Sequence, residues 1–243
     1  MHRTAAALVI GNEILTGKIQ EGNLGYLGQE LFKLGVELRR AVVCRDDIDT
    51  IVADLNALRA AHDLVFTSGG VGPTHDDVTL PAVAKAFDRT LTRSPEIERL
   101  IRSYHGERTT EDHLRMADVP LGARLIASSE VPWPTVAVEN VYVLPGVPEI
   151  FRMKFSALRL ELSGGKSFVS AAVYTQCDEG EIAAQLAAVA ARYPDTFVGS
   201  YPRFRASEYK LKLTVDGEDE ARVRAAIKDI LAFIPADKLV RSE

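Results

Sequence analysis

Three short apolar runs without polar alternation constrain the fold of this chain more than any other feature. They are residues 5–10 (AAALVI), 64–67 (LVFT) and 141–144 (VYVL). A strand with one face in water alternates apolar and polar side chains, so unbroken runs indicate strands buried on both faces of a parallel sheet. The first two runs lead through loops into helical patterns at residues 24–34 and 80–87. We therefore predict an α/β fold with an open, mostly parallel sheet and helices on both faces.

The loop after the second run is rich in glycine and ends in two carboxylates. It reads SGGVGPTHDD over residues 68–77, which we call the glycine loop. Glycine lets the backbone approach a ligand closely, and the first N–H groups of a helix attract anions, so this arrangement is typical of a phosphate site. Asp76 and Asp77 would repel a phosphate unless a divalent cation lay between them. The sequence thus predicts a site for a phosphate and a metal ion.

Carboxylates also follow other predicted strands. Glu13 follows the first apolar run, and Asp46 follows residues 36–44, a partly alternating segment that we interpret as a further strand. Ligands of open α/β sheets bind outside the carboxyl ends of the strands, and the carboxyl ends of parallel strands share one edge. We therefore expect Glu13, Asp46, Asp76 and Asp77 to meet at one edge of the sheet.

The composition of the chain restricts its partners. The 243 residues are 47% hydrophobic and 26% charged, which is typical of a globular protein. The net charge of −5, without a block of Lys or Arg, argues against nucleic acid or an anionic membrane held by charge. Cys44 and Cys177 form no C-x-x-C motif and are expected to be buried thiols in a reducing cytoplasm. Residues 4–10 suit neither a membrane span nor a signal peptide, so we predict a cytoplasmic protein.

A second domain is predicted after Ser163-Gly164-Gly165-Lys166, whose composition is typical of a linker. Periodicity then predicts a strand, a helix, two strands and a helix at residues 168–174, 179–193, 196–201, 209–215 and 218–234. We therefore assign residues 1–163 to the α/β domain and residues 167–243 to a small α+β domain of βαββα order. That order is similar to RNA-binding KH modules, but the segment has no G-x-x-G sequence and no nucleic-acid partner is expected.

Three motifs give the chain a resemblance to a known family. They are Gly11-x-Glu13-Ile14-Leu15-x-Gly17 with Asn23, Gly69-Gly70-x-Gly72-Pro73-Thr74-x-Asp76-Asp77-Val78-Thr79, and Tyr142-Val143-Leu144-Pro145-Gly146-Val147-Pro148. Together they resemble the molybdopterin-binding-like (MoaB/MogA) domain, and more closely the amino-terminal domain of competence/damage-inducible protein A (CinA) and the corresponding domain of eukaryotic FAD synthase. Pro132-Trp133-Pro134, Gly199-Ser200-Tyr201-Pro202 and the strand pattern at 209–214 favour the FAD-synthase-like branch.

The resemblance implies a three-layer α/β/α fold and, in these two branches, metal-dependent hydrolysis of a nucleotide diphosphate such as FAD or ADP-ribose. It also implies a divalent metal such as cobalt, magnesium or manganese, aided by potassium, and a homodimer. By position, Asp77 and Asp46 are the predicted metal ligands, whereas Asp76 and Glu13 are predicted to orient the attacking water. The predicted substrate-binding residues are Gly11, Asn12, Ser68, Gly69, Gly70, Gly72, Pro73, Thr74, Pro145 and Gly146. Asn12 stands where many members have Asp, a departure that bears on metal affinity.

Several polar residues near the predicted site have a structural alternative as helix caps. Asn23 and Thr79 are the predicted N-caps of the helices that follow the first and second apolar runs. Asp77 has the alternative of capping the latter helix through its backbone N–H groups. Asp46 competes with Asp47 for the cap of the helix after residues 36–44.

Other side chains near the site also have two interpretations. His75 is either a general acid or a solvated loop residue, and Trp133 either stacks on a substrate ring or fills a loop core. Lys18 and Arg152 are either phosphate contacts or exposed charges without a specific role. His105 shows no metal-ligand spacing and is expected at the surface.

The predicted function is therefore hydrolysis of a nucleotide diphosphate. Two alternatives use the same glycine loop. One is a molybdopterin-binding or adenylyl-transfer protein of molybdenum cofactor synthesis. The other is a binding or dimerisation module that has kept the site without the reaction.

Overall fold

The predicted parallel strands are present in a computed structural model of the chain, which describes residues 3–163, 166–205 and 208–243. The chain divides into two units, residues 1–165 and 166–243; the first has two hydrophobic cores, one on each face of its main sheet, and the second has one. Gly164 and Gly165 of the predicted linker lie outside the described residues.

The first unit contains eight strands and seven α-helices among its described residues. The strands are β1 (Arg3–Ile10), β2 (Val36–Cys44), β3 (Leu64–Ser68), β4 (Leu91–Arg93), β5 (Asp118–Pro120), β6 (Arg124–Ile126), β7 (Thr135–Val138) and β8 (Val141–Leu144). The helices are α1 (Asn12–Leu15), α2 (Asn23–Lys33), α3 (Ile48–Ala61), α4 (Thr79–Ala86), α5 (Pro95–His105), α6 (Glu111–Arg115) and α7 (Pro148–Leu162).

Six of these strands form the main sheet in the order β2-β1-β3-β8-β7-β6. The first four are mutually parallel, whereas β7 is antiparallel to β8 and β6 is antiparallel to β7. Val9 pairs with Ser68, and Ser68 pairs with Leu144, so the carboxyl ends of β1, β3 and β8 lie level with one another. The sheet therefore has one edge where the loops after parallel strands meet.

Alternate residues of β1 belong to two different cores. Ala6, Leu8 and Ile10 pack with α3, α4 and α5 on one face, and Ala5 and Ala7 pack with α2 and α7 on the other. Because both faces are covered, every one of these positions is buried, which is why the sequence shows no alternation. The predicted three-layer α/β/α fold is confirmed.

The second unit consists of β9 (Val169–Thr175), α8 (Glu179–Arg192), β10 (Phe197–Pro202), β11 (Leu211–Gly217), α9 (Glu220–Phe233) and β12 (Leu239–Ser242). Its antiparallel sheet has the order β10-β11-β9-β12, and both helices pack on one face around Val173, Leu213 and Ile230. The predicted α+β class is confirmed, with one strand more than the predicted βαββα order. β12 was missed because all four of its residues are exposed and give no buried periodicity.

Both cysteines are free and buried, as predicted. Burial is the main reason that the pKa of Cys44 is raised to about 12. Within the described ranges, no helix has the length and the apolar character that crossing a bilayer requires.

Candidate functional site

The backbone of the glycine loop is held at the end of β3 by close contacts. Gly69 has a φ of +109°, and a Cβ there would lie 2.1 Å from the carbonyl oxygen of Ile10. Gly70 has a φ of +65°, and a Cβ there would lie 2.4 Å from Oγ1 of Thr79. The N–H of Gly69 donates to the carbonyl of Leu144 at 3.1 Å. Only glycine fits these two positions without strain, so the loop conformation is specified by the sequence.

Three backbone N–H groups of this loop are available to a ligand. Those of Gly70, Val71 and Gly72 have no hydrogen-bond partner among the described residues. Thr79 does not cap α4 as predicted, because it is the first helical residue and its hydroxyl donates to the carbonyl of Gly69 at 2.8 Å. Consecutive unpaired N–H groups beside a helix N-terminus favour an anion such as phosphate.

Asp77 closes the glycine loop on itself. Its Oδ2 accepts hydrogen bonds from the N–H of Thr74 at 2.8 Å and from Oγ1 of Thr74 at 2.5 Å. The alternative in which Asp77 caps α4 is therefore wrong, because α4 has no side-chain cap. Asp76 is exposed, with its Oδ1 3.8 Å from Nδ1 of His75, and the His75 side chain is 96% exposed.

Asp46 and Glu13 are brought together at the ends of β2 and β1. Oδ2 of Asp46 accepts a hydrogen bond from the N–H of Asn12 at 2.7 Å, next to Glu13 in the first turn of α1. Asp47 rather than Asp46 caps α3, since its Oδ1 accepts from the N–H of Thr50 at 2.9 Å. The capping alternative for Asp46 is therefore wrong, and its carboxylate instead fixes the loop that carries Glu13.

Asn23 joins the end of β3 to the loop after β8. Its Nδ2 donates to Oγ of Ser68 at 2.9 Å and to the carbonyl of Gly146 at 2.8 Å. Glu21 accepts from the N–H groups of Asn23 and Leu24, so the prediction that Asn23 caps α2 was wrong. Asn23 is 4% exposed, and its Oδ1 has no partner among the described residues. An unpaired buried acceptor is costly, and because Asn23 also lines the pocket described below, this oxygen is a candidate acceptor for a donor from a ligand.

Several of these residues line a pocket of about 880 Å³ at the carboxyl edge of the sheet. Its polar wall includes Glu13, Glu21, Asn23, residues 68–72 and Asp77. Its apolar wall includes Leu80, Ile97, Met116, Trp133, Val136 and Ile150. The volume is within the range of about 300 to 1,000 Å³ that small-molecule and cofactor sites occupy. The pocket therefore combines an anion-binding loop, carboxylates and an apolar surface.

The structure separates the predicted site residues into two groups. Those that line the pocket are Glu13, Ser68, Gly69, Gly70, Gly72, Asp77, Pro145 and Gly146. Those that lie outside its wall are Gly11, Asn12, Asp46, Pro73, Thr74 and Asp76. Among the described residues, no three His, Cys, Asp or Glu side chains are grouped so that they could hold a metal by themselves. A metal here would need ligands from the substrate or from water in addition to the carboxylates.

Lys154 lines the pocket and was not selected from the sequence. Its Nζ donates to the carbonyl of Pro134 at 2.5 Å, and burial lowers its pKa to about 8. Lys18 and Arg152, the two basic residues considered as phosphate contacts in the sequence analysis, do not line the pocket. The Arg152 guanidinium lies instead 5.5 Å from the ring centroid of Tyr26. The sequence does contain a signal for Lys154, because it lies between the apolar residues Met153 and Phe155 in the helix after residues 141–144, and a charged residue is unusual on a buried helix face.

Two further aromatic rings, those of Trp133 and His105, line the pocket. Trp133 both packs against a hydrophobic core and lines the pocket, so its two interpretations are compatible. His105 was expected at the surface, but it lines the pocket with its ring stacked on that of His113 at 3.9 Å between centroids. Desolvation, followed by the charges of His113 and Arg108, lowers the pKa of His105. The neutral form of this ring is thus favoured beside the pocket.

The sheet order, the glycine loop and the pocket at the carboxyl edge define an α/β protein of the MoaB/MogA-like type. The chain belongs to the family described as "Probable molybdopterin binding domain", which matches residues 6–162. The second unit matches the family described as "FAD synthase, middle domain" over residues 167–243.

Individual relatives agree with this assignment. The chain is 34% identical over 255 residues to "Probable FAD synthase" of Caenorhabditis elegans, a match that covers 94% of this chain and 49% of the relative. It is 33% identical over 236 residues to "CinA-like protein" of Syntrophus aciditrophicus (strain SB), covering 91% of this chain and 56% of the relative. The chain thus spans about half the length of these two relatives.

A solved structure supports the fold. The crystal structure of CinA from Thermoplasma acidophilum, described as a protein of unknown function, has a TM-score of 0.62 and 31% sequence identity to this chain. The match covers 66% of this chain and 98% of that protein. The resemblance to the MoaB/MogA-like, CinA-like and FAD-synthase-like proteins is therefore confirmed.

Proposed function

We propose that this chain binds a nucleotide with a diphosphate bond, such as FAD or ADP-ribose, and hydrolyses that bond with the help of a divalent metal. The observation that carries the proposal is one pocket whose wall contains the glycine loop, the carboxylates of Glu13 and Asp77, and the ring of Trp133. A relative named as an FAD synthase and the match to an FAD synthase middle domain support a flavin nucleotide as substrate.

The chain's own groups can bind and orient such a substrate. The unpaired N–H groups of Gly70, Val71 and Gly72 would hold phosphate oxygens, and Pro148, the first residue of α7, lines the same pocket, so the positive end of the α7 dipole would add to the attraction. Oδ1 of Asn23 would accept a hydrogen bond from a ribose hydroxyl or a ring N–H. The apolar wall would exclude water from the rest of the nucleotide.

The chemistry of the free oxygens fits a hard divalent cation. Oδ1 of Asp77 and both carboxylate oxygens of Glu13 accept no hydrogen bond among the described residues. Mg²⁺, Mn²⁺ and Co²⁺ accept such ligands, and Mg²⁺ commonly uses one or two carboxylates with waters and substrate phosphates. When bound, the cation supplies charge neutralisation and a more acidic water.

For Asp46 we propose a role other than that of the metal ligand implied by the resemblance. It follows β2, which is separated from β3 and Asp77 by β1, so the two strand ends are about 10 Å apart. Glu13 follows β1 and lies between them. We propose Asp77 and Glu13 as the ligands and Asp46 as the residue that positions Glu13 through the N–H of Asn12.

In the proposed reaction, water attacks one phosphorus of the diphosphate and the bond from that phosphorus to the bridging oxygen breaks. FAD would yield FMN and AMP, and ADP-ribose would yield ribose 5-phosphate and AMP. Asp76, which is exposed beside Asp77 but outside the pocket wall, is the proposed acceptor, through a bridging water, of the proton that the attacking water loses. Potassium and a homodimer stay predictions.

Product analysis tests the proposal. The purified protein is incubated separately with FAD and with ADP-ribose, each with Mg²⁺, Mn²⁺ or Co²⁺ or with EDTA, and with and without potassium. We expect release of AMP that requires the metal. A parallel incubation with molybdopterin and ATP tests adenylyl transfer, and an adenylylated pterin without AMP release from FAD or ADP-ribose would replace the proposed reaction. Binding of FAD or ADP-ribose without turnover would indicate a module that has lost the reaction.

A further inference from the structure

Charge is distributed unevenly around the pocket. Glu13, Glu21 and Asp77 contribute carboxylates, whereas Lys154 is the one Lys or Arg in the wall among the described residues. Among the described residues, no carboxylate oxygen lies within 4.0 Å of Nζ of Lys154, which is the distance limit for an ion pair. A partly buried ammonium that no carboxylate pairs is unusual, because unpaired charge away from water is costly.

The hydrogen bond of Lys154 places its ammonium at the same edge as the glycine loop. Val136 pairs with Val143 in the antiparallel register of β7 and β8, so Pro134 lies level with Pro145 at the carboxyl end of β8. Nζ of Lys154 donates to the carbonyl of Pro134 at 2.5 Å. Because β8 lies between β7 and β3, this carbonyl is about two strand spacings, or roughly 10 Å, from the end of β3.

Apart from the carbonyl of Pro134, no described group is paired with the ammonium of Lys154. Titratable groups that face the pocket are Glu13 on α1, Glu21 before α2, Asp77 in the glycine loop, and Tyr104 and His105 on α5. Burial alone accounts for the lowered pKa of about 8, so none of these groups compensates for the loss of water around the ammonium. An anion that enters the pocket would supply the missing partner and favour the protonated form.

Resting on the proposed function, we infer that Lys154 is the cationic contact of the protein for the substrate diphosphate, opposite the carboxylates, and that it takes up a proton when substrate binds. A metal held by the carboxylates and the ammonium of Lys154 would then neutralise the diphosphate from two sides. The carbonyl of Pro134 keeps the ammonium at this edge while the pocket is empty of substrate.

Calorimetry with substrate analogues that cannot be hydrolysed tests this inference. Analogues of FAD and ADP-ribose with a methylene bridge in place of the bridging oxygen are titrated into the full chain with Mg²⁺ at several pH values between 7 and 9.5. Each titration is repeated in two buffers of different ionisation enthalpy, which gives the number of protons taken up. The proteins compared are the wild type, Lys154→Met, Lys154→Arg and the control Arg152→Met, whose side chain lies outside the pocket wall.

We expect the wild type to take up part of a proton per analogue bound near pH 8 and above. Lys154→Met should bind about tenfold more weakly or worse, as the loss of a charged hydrogen bond predicts, without that uptake. Lys154→Arg should bind without proton uptake because arginine is always charged, and Arg152→Met should match the wild type. If Lys154→Met keeps the affinity and the proton uptake of the wild type, the inferred role of Lys154 is overturned, whereas the proposed function is not. Failure of the wild type to bind either analogue would overturn the proposed function as well.

Discussion

Asp77 accepts two hydrogen bonds from Thr74 through the same oxygen, at 2.8 Å from the backbone N–H and at 2.5 Å from the hydroxyl. This leaves the other oxygen without a partner among the described residues, in a side chain that lines the pocket. The carboxylate is therefore oriented before any ligand arrives, and less entropy is lost when one binds.

The first prediction follows from this orientation. Asp77→Asn keeps an acceptor for the N–H of Thr74 but removes the charge, so we expect metal-dependent turnover to fall by about 100-fold or more with folding intact. AMP release and thermal unfolding are measured on the same preparations. Asp112→Asn, at a side chain that is 71% exposed on α6, is the control and should match the wild type. Full activity in Asp77→Asn would exclude this carboxylate as a metal ligand.

The second prediction separates two adjacent carboxylates. Asp46→Ala removes the acceptor for the N–H of Asn12 and should raise the metal concentration needed for half-maximal activity by about tenfold, since outer-shell contacts typically have this effect. Asp47→Ala removes the cap of α3 and should cost about 1 kcal/mol of stability without changing the metal requirement. Metal titrations and urea unfolding of both variants provide the measurement. An equal metal requirement in both variants would contradict a positioning role for Asp46.

The third prediction compares two glycines. Gly69→Ala places a methyl group 2.1 Å from the carbonyl oxygen of Ile10 at a positive φ, and should cost roughly 2 kcal/mol or more. Gly25→Ala, in α2 with no atom within 4 Å of the added Cβ, should stabilise the chain by about 0.5 to 1 kcal/mol. Urea unfolding followed by the fluorescence of Trp133, the one tryptophan of the chain, measures both. Similar midpoints for the two variants would show that the loop does not need glycine.

The fourth prediction concerns stability and pH. Burial lowers the pKa of Lys154 from 10.5 to about 8, so between these values the unfolded chain binds more protons and this residue makes stability rise with pH. Below pH 8 Lys154 is protonated in both the folded and the unfolded chain, so the full free-energy cost of burying its charge lowers stability. Lys154→Met should therefore be more stable than the wild type by about 1 to 3 kcal/mol at pH 7, with the difference decreasing toward pH 10. Unfolding curves at pH 7, 8.5 and 10 test this, and a difference that is independent of pH would contradict it.

The central sheet and the glycine loop could be predicted because their signals are local. Residues 5–10 and 64–67 lack alternation since both sheet faces are covered, and the glycine loop has its turn residues in one continuous stretch. Each of these features is contained in about ten consecutive residues, which is the length over which periodicity and turn residues predict structure.

The apolar side of the pocket could not be predicted in the same way. β7 is antiparallel to β8, so Trp133 and Pro134 reach the site by preceding a strand rather than by following one. Lys154 reaches it through a hydrogen bond to a residue 20 positions earlier in the chain. The sequence specifies such contacts only through the register of distant strands, which local patterns do not reveal.

The hydrogen bonds that hold the glycine loop also have a consequence for the order of events during synthesis. The N–H of Gly69 is bonded to the carbonyl of Leu144, and Asn23 is bonded to the carbonyl of Gly146. A nascent chain that has not yet extended past these carbonyls lacks both anchors, although every glycine and carboxylate of the loop has already been made. The loop can therefore reach the conformation described here only after Gly146 has been synthesised, and an anion site formed by this loop would be a late product of translation of the first unit.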